Sequence, residues 1–145
     1  MIVRRIYVAS SWRNGRQSRV VEFLRGLGHE VYDYKNPEPG DSGFGWRQIS
    51  PDWEHWTNDQ IRLALAHPIA EAAFRHDMGA LEWCDTLVLV NPCGRSAHGE
   101  WGQAVGAGKP TCIYLAEGDE PELMYKMARC LVVNDEELAA WVRSL

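Results

Sequence analysis

Five short runs rich in β-branched and aromatic residues punctuate the chain, and stretches long enough for a helix separate nearly all of them. They are IVRRIYVA (2–9), HEVYDY (29–34), DTLVLVNP (85–92), PTCIYL (110–115) and CLVV (130–133). Between the first two, apolar residues recur at Val20, Val21, Leu24 and Leu27, a helical spacing over about 15–27 that Gly26 and Gly28 close. Helical texture is also expected over 57–66 and 69–83, broken at Pro68, then over 97–108, 120–128 and 135–145, the last capped by Asn134. Strands joined by helices pair in parallel through right-handed crossovers. The expectation is an α/β fold, a three-layer sandwich built on a doubly wound, Rossmann- or flavodoxin-like sheet of about five mostly parallel strands.

The pattern breaks in NPEPGDSGFGWRQISPDWEHWTND (36–59), which holds three prolines, three glycines and Trp46, Trp53 and Trp56. A loop of this length in a compact domain is usually functional or disordered, and its aromatic content argues for order. A lid over a ligand, packing against another subunit and folding back onto the core all remain open. With 145 residues, 46% of them hydrophobic, the chain reads as one domain over 1–145 with a tryptophan-rich insertion at about 36–58.

Charge and cysteine usage narrow the function. A net charge of −5 offers no basic surface for long nucleic acid, although a few arginines still suffice for one small anion. Cys84, Cys93, Cys112 and Cys130 form no CxxC pair, and His55, His67, His76 and His98 have no metal-site spacing, so neither a disulfide framework, a metal nor a cofactor is expected. Cys93 lacks a firmly placed histidine to activate it as a nucleophile. No run of about 18 apolar residues is present, and the N-terminal apolar stretch is too short for a signal peptide. No membrane partner and a cytoplasmic location are expected.

In open α/β sheets, ligands bind outside the carboxyl ends of the strands. The loop after the first strand is SSWRNGR, in which Ser10, Ser11, Arg13, Gly15 and Arg16 precede or open a helix whose N–H groups and dipole favour an anion. The plainer reading has a serine capping the helix and the arginines facing water. After the DTLVLV strand comes NPCGRSAHGE, where Glu100 is expected in the first turn of the next helix. Favourable interaction with the helix dipole would account for such a glutamate. Asp77 and Asp85, eight residues apart upstream, suggest instead that several carboxylates converge on one cleft. Two carboxylates in different environments can divide glycosidic chemistry between nucleophile and acid.

Three stretches, IYVASSWRNGR, HDMGALEWCDTLVLV and SAHGEWGQAVGAGKP, resemble the nucleoside 2-deoxyribosyltransferase superfamily, which includes 2′-deoxynucleoside 5′-monophosphate N-hydrolases and cytidine monophosphate hydrolases. The likeness runs across most of the chain apart from the insertion. It implies Glu100 as nucleophile, Asp77 as the residue facing the base and general acid, Asp85 as a more structural partner, and a phosphate-binding turn at Ser11, Arg13, Gly15 and Arg16, with Tyr7 near the sugar. Six residues before the nucleophile, the similar transferases carry aspartate and the monophosphate hydrolases serine, where this chain has Gly94. Arg95 and Ser96 are close enough in sequence to replace that contact, and His98 is similar to the cytidine monophosphate hydrolases. Trp46 is a candidate to stack on the base. The implied activity is N-glycosidic hydrolysis of a (deoxy)nucleoside 5′-monophosphate. Base exchange by a deoxyribosyltransferase, a nucleotide-sensing module and a structural subunit are the alternatives, and the resemblance implies a homodimer or higher homo-oligomer.

Overall fold

The computed structural model describes residues 1–145. In chain order its regular elements are β1 (Arg5–Ala9), α1 (Arg16–Gly26), β2 (Glu30–Tyr32), α2 (Asn58–Leu65), α3 (Pro68–Trp83), β3 (Thr86–Val90), α4 (Arg95–Gly106), β4 (Thr111–Tyr114), β5 (Cys130–Val132) and α5 (Asp135–Arg143). Short 3-10 turns add Trp46–Gln48, Trp53–His55 and Leu123–Met127. The chain divides into two compact units, residues 1–33 with 81–145, and residues 34–80.

The first unit holds a five-stranded sheet in the order β2-β1-β3-β4-β5, with every neighbouring pair parallel. This is the doubly wound, flavodoxin-like order, as the alternation of runs implies. Side chains alternate across the strands. Ile6, Val8, Val88, Val90, Cys112, Tyr114 and Val132 form one core with Val20, Val21 and Leu24 of α1 and Leu138, Trp141 and Val142 of α5. The intervening Tyr7, Leu87, Leu89 and Ile113 are wholly buried and point to the other face, which α4 covers with Ala97, Trp101 and Ala104. Every residue of β3 is buried, as a central parallel strand covered on both faces requires.

Local chemistry sets most element ends. Gly28, at φ +95°, turns the chain from α1 into β2 in a conformation that a side chain would strain. Lys109 Nζ donates to the carbonyls of Leu81 and Glu82 (3.2 Å), satisfying acceptors at the end of α3. Asn134 accepts the N–H of Glu137 at 2.8 Å and so caps α5.

Two sequence expectations are corrected. Residues 120–128 form only the 3-10 turn Leu123–Met127, because pairing with β4 resumes at Arg129, whose N–H reaches the Thr111 carbonyl at 3.0 Å. That leaves room for little more than one turn. The helix expected from residue 97 begins at Arg95 instead, with Gly94 as its extended N-cap.

In the second unit, Thr57 and Gln60 form a reciprocal capping box that opens α2. Pro68 occupies the first position of α3, where its missing N–H costs nothing. The insertion carries its own aromatic cluster, with Trp46 edge-on to Phe44 at 4.8 Å and to Trp56 at 5.9 Å. No helix is long and apolar enough to cross a membrane.

Candidate active site

Because the strands are parallel, the loops after β1, β3 and β4 emerge on one rim of the sheet, and polar side chains lock them together. Ser10 Oγ donates to the Val90 carbonyl at 2.7 Å. Asn14 Nδ2 reaches Ser10 Oγ (3.1 Å), the Pro92 carbonyl (3.1 Å) and the Val90 carbonyl (3.3 Å), while its Oδ1 accepts the Arg16 N–H at 2.9 Å. The Arg16 guanidinium donates to the carbonyls of Asn91 and Leu115 (3.2 Å) and lies 4.7 Å over the Tyr114 ring. Ser10 and Arg16, read from sequence as anion ligands, therefore hold the rim together. Neither serine caps α1, whose N-cap is Gly15 without a side-chain bond. Of the same loop, Ser11 is half-buried and Arg13 exposed.

Asn14 escaped the sequence reading, although an asparagine ahead of a helix is a recognisable turn-former. It is buried and touches both the first and third crossovers. Asn14→Ala should lower stability by about 2 kcal/mol, since it removes a buried amide that ties Ser10, the Val90 and Pro92 carbonyls and the Arg16 N–H together. Urea unfolding of the variant tests this, and a loss below ~0.5 kcal/mol would show that water replaces the amide.

Glu100 is the sixth residue of α4 and lies in its second turn, beyond the reach of the dipole explanation. It shares the sheet-facing stripe with Ala97, Trp101 and Ala104, positions three or four apart on one helical face. The Tyr7 hydroxyl, on a wholly buried side chain of β1, donates to Glu100 Oε2. Tyr7 in turn packs against Tyr32 with ring centroids 5.0 Å apart. Burial among these groups pushes the Glu100 carboxyl up from 4.5 to about 7, since removing water penalises the ionised form. The arrangement is a carboxylate with one oxygen held and its protonation poised near neutrality.

The remaining candidates separate. Asp85 precedes β3, at the amino end of that strand, whereas α4 and Glu100 follow its carboxyl end. Its carboxylate accepts the Arg5 N–H at 3.2 and 3.3 Å and the Thr86 hydroxyl at 2.8 Å, and meets Arg5 Nε at 3.6 Å. The expected convergence of carboxylates is corrected at Asp85, which staples β1 to β3. Asp77 on α3 and Trp46 belong to the second unit. Arg95 and Ser96 are exposed and open α4, whose N-terminus no side chain caps. His98 engages both ring nitrogens within the protein, Nδ1 with the Gly94 carbonyl at 2.8 Å and Nε2 with the Tyr125 hydroxyl at 2.9 Å. Burial pushes the Cys93 thiol up to about 12, far from a thiolate nucleophile.

No family model matches the chain, and neither does any curated protein sequence. Solved structures do. A 2-deoxyribosyltransferase from the psychrotolerant bacterium Bacillus psychrosaccharolyticus superposes with a TM-score of 0.56 at 21% identity, over 92% of this chain and 88% of that one. The Clostridium botulinum CMP N-glycosidase does so with a TM-score of 0.52 at 17% identity, over 95% of this chain and 97% of that one. The chain has the α/β fold of these two structures.

Proposed function

We propose that the protein hydrolyses the N-glycosidic bond of a nucleoside or deoxynucleoside 5′-monophosphate, with Glu100 as nucleophile. The observation that carries this reading is the Glu100 carboxylate itself, held by Tyr7 and desolvated on the helix that follows the carboxyl end of the central strand. The folds of a CMP N-glycosidase and a 2-deoxyribosyltransferase support the class of chemistry.

In the proposed reaction, the free oxygen of Glu100 attacks the anomeric carbon as the bond to the base nitrogen breaks, and the bonding pair leaves with the base. Asp77 donates the proton that the base takes up, general acid catalysis worth about 10²–10⁴-fold. Water then attacks the anomeric carbon of the glycosyl ester, passing its proton to the Asp77 carboxylate left by the first step, and the Glu100 oxygen departs with its bonding pair, releasing the sugar phosphate and restoring both carboxyl groups to their starting states. Tyr7 keeps Oε2 engaged, so that the other oxygen carries the nucleophilic lone pair. The phosphate is assigned to Ser11 and Arg13, with Arg95, Ser96 and the uncapped N–H groups of α4 as further donors. Trp46 is assigned to the base face.

Chromatography of free base from nucleosides and their 5′-monophosphates, with and without an acceptor base, tests the reading. Release from a monophosphate in water alone is the expected result. Exchange seen only with an acceptor would make the protein a transferase, and silence with retained nucleotide binding would make it a sensor.

A further inference from the structure

Beside the proposed chemistry, the rim carries a second polar assembly around Asn91, a side chain only 4% exposed. Asn91 Nδ2 donates one hydrogen to Asp119 Oδ2 at 2.9 Å and the other to the Tyr125 hydroxyl at 3.0 Å. Its Oδ1 accepts the Cys93 thiol at 3.2 Å, which stays protonated and so orients the amide. Asp119 Oδ2 also takes the Ala116 N–H at 2.8 Å. Having accepted from Asn91, the Tyr125 hydroxyl donates its proton to His98 Nε2 (2.9 Å), which leaves Nδ1 as the protonated nitrogen that donates to the Gly94 carbonyl (2.8 Å). The chain of donors runs one way, and each link polarises the next.

Its end point matters. Gly94 is the N-cap of α4, and its carbonyl also accepts the first helical N–H, from His98 at 3.3 Å. Apart from Trp101 and Glu100 itself, α4 faces the sheet with two alanines, which offer little ridge against rotation or sliding of the helix. Trp101 Nε1–H to Thr111 Oγ1 at 3.1 Å fixes one point. The second is His98, two residues before Glu100, its ring stacked on Tyr125 with centroids 5.8 Å apart and planes within 8°.

We propose that Tyr125 and His98 are positioning residues for Glu100: the chain Asn91 to Tyr125 to His98 to the Gly94 carbonyl sets the rotation of α4 about its axis, and with it the aim of the carboxylate held by Tyr7. This rests on Glu100 being the reacting group. A displacement of about 1 Å at a reacting atom costs on the order of 10²-fold in rate, so the chain governs turnover more than binding.

Tyr125→Phe and His98→Phe break adjacent links while keeping the stacked rings. Each should lower kcat for base release about 10- to 100-fold with KM within about twofold. The double variant should be no worse than the worse single one, because one chain is cut twice. Unchanged kcat in both, or losses that multiply, would overturn the proposal. Nitrogen-15 spectra of wild type should show His98 protonated on Nδ1, and an Nε2–H tautomer would also overturn it. Should wild type release no base from any compound, the glycosidase reading falls alone. The positioning is then read from the carbon-13 titration of the Glu100 carboxyl, whose midpoint should move by roughly half a pH unit or more in either variant; an unmoved midpoint sinks it.

Discussion

Glu100→Gln should abolish base release, with a fall of about 10⁴-fold or more in kcat/KM, while the protein stays folded. The amide matches the carboxylate in shape and still offers an oxygen to the Tyr7 hydroxyl, so the local packing survives and only the nucleophilic pair is lost. Wild type provides a second signature of the same group. Only the ionised carboxylate attacks, and burial holds it at about 7. The rate should therefore rise about tenfold per pH unit below that value and level off above it. A glutamine variant within tenfold of wild type would remove Glu100 from the nucleophile's role, as would a flat profile from pH 5 to 8.

The second large effect is on stability, and it has the opposite sign to the first. Unfolded, Glu100 ionises near 4.5; folded, near 7. Below pH 4.5 both states are protonated and the side chain contributes its full stability. As pH rises towards 7 the unfolded chain loses its proton first, so stability falls until the folded carboxyl also ionises and the difference becomes constant. The gap corresponds to about 3 kcal/mol, which solvent screening of a half-buried group trims to about 2 kcal/mol. Glutamine has no proton to lose. At pH 8, Glu100→Gln should melt about 5–8 °C above wild type, and near pH 4.5 the two should coincide. A melting difference that ignores pH would show that burial of the ionised carboxylate is not what the fold sustains. Catalytic groups held against their solution preference commonly show this exchange of stability for function.

Some of this was legible along the chain. The TLVLV run announces a central strand because a parallel strand covered on both faces needs no polar residues. The alternation of runs then leads to a doubly wound sheet, and the sheet to its carboxyl rim. Glu100 stood out through its place after the most apolar strand, although its assignment to a first helical turn was one turn early. The family resemblance brought Tyr7 into consideration, where composition and periodicity say nothing of it.

The sequence alone therefore determined the order and type of most elements and the loops from which a site is built, since helix and strand patterns are read from residues a few positions apart. Tertiary structure alone decided which polar side chains face a ligand and which hold the scaffold. Arg16 finds its carbonyls 75 and 99 residues away, and Tyr7 meets Glu100 across 93 residues. Asp85 and Glu100 lie only fifteen residues apart in the chain, yet β3 runs between them, and Asp85 pairs with Arg5 while Glu100 pairs with Tyr7. A polar residue in a loop has several possible partners of similar hydrogen-bonding strength, and three-dimensional proximity, which no local pattern encodes, selects among them.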